Sequence, residues 1–187
     1  MERRKIGVLC MPETRWKGNN AREVGEGYKL YYSGANIERR NGVGIVLLKE
    51  LKENLIGVNR KNNTIMSLKV GLGATIINVV CAYVPQTGCA EEEKDIFWEE
   101  MDQELGIIPA REKVIIGGDL NGQLEISREG IERVHGGWCV GERNDVGERV
   151  IDFALAFDLA MINTFFEKKI NRLITYSSGD RKLEISR

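Results

Sequence analysis

Three apolar runs of this chain each stop at an oxygen-bearing side chain. "IGVLCMPETRW" delivers Glu13, "INVVCAYVPQ" delivers Tyr83, and "KVIIGGDLNGQLE" delivers Asp119 followed by Asn121. Alternate residues of an extended chain point the same way, so Asp119 and Asn121 can reach one spot. Two oxygen-bearing groups on one spot suit a hard cation or a phosphate. Each residue also has a plainer reading. Asp and Asn before Gly cap turns with their own side chains. A Glu after a strand is an ordinary solvent-facing charge, and a Tyr is an ordinary half-buried core aromatic. Taken as a set, three strands that end in oxygen ligands are what a magnesium phosphate site requires. The expectation is that Glu13, Tyr83, Asp119 and Asn121 converge on one cleft at the ends of neighbouring strands.

Other chemistries find no support. "GEGYKL", "GVGIVL" and "GLGATI" lack the spacing of a dinucleotide or P-loop motif and read as turns and bulges. An EF-hand loop starting at Asp119 would need Glu at its twelfth position, where Gly130 stands. No G-x-S-x-G occurs, and one His without paired cysteines makes a zinc site a poor fit. That His, His135 in "RVHGGWCVG", reads as a surface loop residue. Cys10 and Cys81 lie inside strand-like runs and read as core residues, reduced as in an intracellular protein. No signal peptide or long apolar span appears, so no membrane partner is expected, nor any small-molecule cofactor.

The elements that must position these residues follow from periodicity. Strands are expected over 5–11, 28–34, 42–48, 54–59, 64–70, 74–84 and 113–117, with short ones near "AMINTFF" and "LITYSS". The connections between 42 and 84 are too short for crossover helices, so antiparallel hairpins are expected there. "IINVVCAYV" is apolar on both faces, the mark of a strand at the centre of the fold. Phe97, Met101 and Leu105 recur every fourth residue, which predicts a helix over 90–105. Val150, Ile151, Ala154 and Leu155 stack in a second helix over 147–159. The pattern is α/β with a largely antiparallel sheet, in one domain spanning residues 1–187.

The net charge is −1, so there is no overall attraction to a polyanion. The charge is uneven, however. Residues 1–70 hold 14 Lys and Arg against 7 Asp and Glu, while residues 71–130 hold 4 against 12. The basic N-terminal segment suits a polyanion groove, and the acidic stretch suits a solvated helix face.

At "CMPETRW", "AYVPQ" and "GGDLNG" the chain resembles the endonuclease/exonuclease/phosphatase (DNase I-like) superfamily, whose strands end in L-Q-E-T, Y-x-P and G-D-x-N. It is similar above all to non-LTR retrotransposon endonuclease domains and craniofacial development protein 2-like sequences, with further likeness in "NGVGIVL", "NDVGERVIDFALAFDLAMINTFFEKK" and "LITYSSGDRK". The resemblance implies a four-layer α/β/β/α sandwich and Mg²⁺-dependent (or Mn²⁺-dependent) nicking of DNA, in the nucleus. It implies Glu13 as the metal ligand, Tyr83 and Asn121 on the phosphate, and Asp119 on the attacking water. Thr175 matches a polar residue near the site less securely. Three departures stand out: Pro12 replaces a Gln, Ser186 stands where the family has Asp, and the family's first strand and terminal S-D-H are not matched. The resemblance therefore implies a partial domain with an incomplete catalytic set and impaired cleavage, or an inactive relic that binds nucleic acid or protein.

Overall fold

The computed structural model describes all residues except 2, 4, 38–39, 87, 140, 169–175, 179–180 and 184–187. Thr175 and Ser186 lie outside the described residues. The chain divides into two compact units, Met1–Pro85 with Cys89–Gly118, and Gln86–Gly88 with Asp119–Arg187.

The first unit is built on two four-stranded sheets. One contains β1 (Val8–Met11), β2 (Asn20–Glu23), β3 (Lys29–Ser33) and β4 (Val43–Leu47), in the antiparallel order β1-β4-β3-β2. The other contains β5 (Leu55–Arg60), β6 (Ile65–Leu72), β7 (Thr75–Tyr83) and β8 (Lys113–Asp119), in the order β5-β6-β7-β8. The strands from β5 to β7 form the expected antiparallel meander. The expected hairpin between β4 and β5 does not form. A short helix, α1 (Lys49–Lys52), carries the chain from one sheet to the other instead. The sheets face each other across one apolar core. Tyr31, Val43, Ile45 and Leu47 from the first pack with Met66, Leu68, Val70, Val79, Cys81 and Tyr83 from the second. With β6 and β8 on its flanks, β7 is the central strand its two apolar faces predict. Cys81 is buried in the core and Cys10 packs against it, both as free thiols.

Period-two alternation gives β6 a second character on its outer face. There Ser67 and Lys69 replace the inward Met66, Leu68 and Val70. The long helix α2 (Glu91–Gly106) meets this polar face with its own buried carboxylate. Glu104 accepts two hydrogen bonds from Asn59 Nδ2, at 3.1 and 2.9 Å, and one from Ser67 Oγ at 2.6 Å. Phe97, Met101 and Leu105, the predicted stripe, are buried beside it. Just past the helix, Glu112 accepts from Asn78 and pairs with Lys69; these hydrogen bonds hold its carboxyl below the usual range.

The second unit contains α3 (Asp145–Ala156), whose Ile151 packs with Leu124 and Cys139. The stretch around "AMINTFF", expected as a strand, contains a single 3-10 turn, Ile162–Phe165. Thr164 explains the difference. Its N–H and hydroxyl both donate to the Met161 carbonyl, its Oγ1 accepts the Gly136 N–H, and its carbonyl accepts the Trp138 N–H. These local bonds satisfy the backbone without a partner strand. The last strands are β9 (Tyr176–Ser178) and β10 (Arg181–Leu183), paired as an antiparallel hairpin.

His135 is a correction. It is fully buried, not a surface loop residue, because the flanking glycines let the chain fold back over it. Gly136 packs so closely on Thr164 and Phe165 that any Cβ would overlap their backbone. His135 Nδ1 accepts the Gly137 N–H at 3.1 Å, so Nε2 carries the proton and points it at Cys139 Sγ, 3.7 Å away. Burial first, and then the Arg143 charge, hold the imidazole below its ordinary range.

Two outcomes follow. Glu104→Ala strands the amide of Asn59 and the hydroxyl of Ser67, so it should cost about 2 kcal/mol in urea unfolding, and Glu104→Gln less. Because the folded state resists protonating His135, the unfolded chain binds the extra proton below the ordinary pKa of 6.5. Stability should thus be full above that pH and fall as pH drops through it. The chain has a single His, so a urea midpoint that stays flat between pH 7.5 and 5.5 would count against the burial seen for this ring.

Candidate active site

The Glu13 and Tyr83 positions share one rim of the first unit, where a backbone relay holds them. Past β1 the chain turns sharply, with Glu13 and Arg15 both in the left-handed region at φ 55°. The Thr14 N–H donates to the Gly42 carbonyl at 2.9 Å and the Arg15 N–H to the Asn41 carbonyl at 3.0 Å. Gly42 in turn donates to Asn63 at 2.8 Å, and Tyr83 donates to neighbouring Thr64 at 2.9 Å. Gly42 has φ +91° and its missing Cβ would lie 2.6 Å from Thr14 Oγ1, so glycine is required there. Asn62 locks the corner. Its Oδ1 accepts from the Thr64 N–H, the Thr64 hydroxyl and the Ile65 N–H, while its Nδ2 donates to Glu100 at 2.6 Å. Sequence reasoning passed over Asn62, although "NNT" before a strand is the pattern of a side chain that caps a turn.

Tyr83 is buried at the end of β7, whereas Glu13 is exposed and its carboxylate is paired with Arg15. The Arg15 guanidinium is held above its ordinary range, mostly by its hydrogen bond to Glu13 and with a smaller contribution from Tyr83. Arg15 thus stands at the rim with both predicted residues.

Asp119 ends β8, and the two glycines before it have distinct jobs. A Cβ on Gly117 would lie 2.8 Å from Cys10 Sγ, and one on Gly118 would lie 1.9 Å from the Ala82 carbonyl oxygen. Only bare backbone fits against β1 and β7 at this point. Asp119 itself is 8% exposed, and its Oδ1 accepts the Asn121 N–H at 3.1 Å. The pair is therefore brought together, through a turn in which Asn121 is left-handed at φ 50°. The turn reading of "GGDLNG" is what this bond shows. In the second unit α3 secures this loop. Asn144 caps the helix by accepting the Gly147 N–H at 2.8 Å, and the same oxygen accepts the Gln123 N–H at 3.0 Å. Gly147 is forced, since its Cβ would fall 1.8 Å from the Gln123 carbonyl oxygen.

Among the described residues, no three His, Cys, Asp or Glu side chains are grouped to hold a metal ion. What Glu13 offers is a single exposed carboxylate, which fits a hard cation whose shell is completed by water and substrate oxygens. Its pairing with Arg15 is exposed and screened by water, so a divalent cation could displace it.

No family model matches the chain. Among curated proteins it is 31% identical to craniofacial development protein 2 of Bos taurus over 180 residues, 96% of this chain and 30% of that protein. It is likewise 31% identical to that of Tragulus javanicus, again over 96% of this chain and 31% of the relative. The chain thus spans about a third of the length of the curated relatives it matches. Among solved structures it is similar to the endonuclease domain of TRAS1, a telomere-specific non-LTR retrotransposon, with TM-score 0.55 and 16% identity over 83% of this chain and 62% of that one. The fold is the DNase I-like one. Two facing sheets with few helices, α/β in class, are what this fold shares with its structural neighbours. No helix among the described residues is long and apolar enough to cross a membrane.

The pairing of Glu13 with Arg15 has a measurable consequence. In calorimetric titration with Mn²⁺, Arg15→Ala should bind several-fold more tightly than wild type, while Glu13→Gln should show little or no binding. Equal isotherms for all three proteins would remove Glu13 from consideration as a metal ligand.

Proposed function

We propose that the chain is a metal-dependent phosphodiesterase domain that nicks DNA, derived from a retrotransposon endonuclease and acting in the nucleus. The observation that carries this reading is a nuclease-type fold with Tyr83 and Asp119 at strand ends and Glu13 in the turn just past β1.

In this reading Glu13 holds Mg²⁺ or Mn²⁺. When bound, such an ion supplies Lewis-acid stabilisation of the charge that develops on the phosphate. The chain's own residues do the positioning. Asp119, held by the turn to Asn121, orients the attacking water and takes its proton. Tyr83 and Asn121 hold the phosphate oxygens, Tyr83 from a phenol fixed by the core and Asn121 from its strained turn. The alternative is a module that binds nucleic acid without cleaving it. The hold of Arg15 on Glu13 favours it, since that contact neutralises the one carboxylate offered to a cation.

Nicking of supercoiled plasmid separates the two. The expected result is weak Mg²⁺-dependent nicking, abolished by EDTA and reduced about 10²-fold or more by Asp119→Asn. Binding without any nicking, unchanged by Asp119→Asn, would decide for the inactive module.

A further inference from the structure

Beside the Glu13 turn, the first unit carries a basic ledge built around one tryptophan. The Arg22 guanidinium lies 4.0 Å from the centroid of the Trp16 ring, and Trp16 rests edge-on against Tyr32 at 5.1 Å. Both aromatic rings pack against the Tyr28, Leu30 and Val46 cluster on the outer face of the first sheet, so the ledge is anchored. Arg22 sits on β2, the edge strand, opposite Leu30. The loop that bears Trp16 is pinned to its neighbour by the bond from the Ala35 N–H to the Trp16 carbonyl, at 2.7 Å, and by Asn19 Oδ1, which accepts the Gly34 N–H at 2.9 Å. That neighbouring loop adds the exposed Arg40.

The charge balance of the ledge is unusual. Nearby acids are already committed elsewhere: Glu13 to Arg15, and Glu23 to Lys52. No carboxylate among the described residues pairs with Arg22 or Lys17, both of which are exposed. A guanidinium held over an indole face keeps N–H donors free for an anionic partner and loses little freedom when it binds one. A cation on the edge strand and another on the loop that leads into it suit the repeated charges of a phosphodiester backbone.

We infer that Lys17 and Arg22, with Arg22 oriented by Trp16, form a nucleic-acid backbone contact that holds the strand beside the Glu13 turn. Trp16 acts as a positioning residue and does not touch the scissile group. The inference rests on the nuclease reading for its choice of ligand, but it is tested without metal, where no cleavage takes place.

The test is fluorescence anisotropy of a short labelled DNA duplex in EDTA, repeated across a range of salt concentrations. Wild type should bind, and Lys17→Ala/Arg22→Ala should bind about tenfold more weakly, with a log–log salt slope shallower by about two contacts. Arg22→Lys keeps the charge but not the stacked plane, so it should retain the slope and lose affinity several-fold. Lys113→Ala, an exposed lysine on β8, should behave as wild type. If circular dichroism shows that the double variant is unfolded, Lys17→Ala alone should lower the slope by about one. Absence of duplex binding by wild type, or a variant slope equal to that of wild type, would overturn the inference. Binding lost on the ledge with nicking absent throughout would sink the nuclease reading and leave the ledge standing.

Discussion

Gly42 is the point on which the first unit's rim depends. Its carbonyl accepts the N–H of Thr14 and its own N–H reaches Asn63, so one residue joins the turn after β1 to the loop before β6. No side chain fits there, since a Cβ would collide with Thr14 Oγ1. The neighbouring Thr64 then holds the backbone of Tyr83. Without this close approach the Glu13 turn would have nothing to hold it in its left-handed conformation. Strain in a single residue persists only where surrounding bonds over-determine it. Gly118 meets the same constraint further along, where β8 is pressed onto the Ala82 backbone.

Electrostatics acts on top of this frame. Glu13, the carboxylate that most resembles a metal ligand, is paired with Arg15 rather than left bare. Among the described residues Arg22 and Lys17, a few residues on, have no such acid partner. The surplus of basic residues in the first part of the chain is therefore spread over two kinds of site. Arg15, Lys52 and Lys69 each pair with a carboxylate, while Lys17 and Arg22 face solvent. Buried acids are treated differently again. Glu104 and Glu112 are surrounded by donors from β5, β6 and β7, so the polar outer face of the second sheet is satisfied by α2 and the chain just beyond it. A half-satisfied version of that network would cost more than an apolar one.

Much of the fold was legible because period and burial coincide. The Phe97, Met101 and Leu105 stripe gave away α2, and the double-faced apolar run gave away β7 as a central strand. The failures have local causes. "NARE" has Ala21 as its single apolar residue, so nothing marked β2, which exists by pairing with β3. The "AMINTFF" stretch has strand-forming residues, yet Thr164 spends its bonding capacity on nearby groups. His135 was misjudged because a Gly-rich loop suggests exposure, whereas these glycines permit close packing.

The sequence alone determined which residues stand at or just past the strand ends: Tyr83 and Asp119 close β7 and β8, and Glu13 follows β1 by two residues. It also put Asp119 and Asn121 in one local turn, because a two-residue spacing before glycine lets the Asp carboxylate accept the Asn N–H. Tertiary structure decided what no local pattern encodes. It laid Arg22 on Trp16, joined Asn62 to Glu100, and surrounded Glu104 with Asn59 and Ser67. The physical reason is range. Strand and turn preferences act over a few residues, while the bonds that set charge and orientation join groups that only the folded chain brings together.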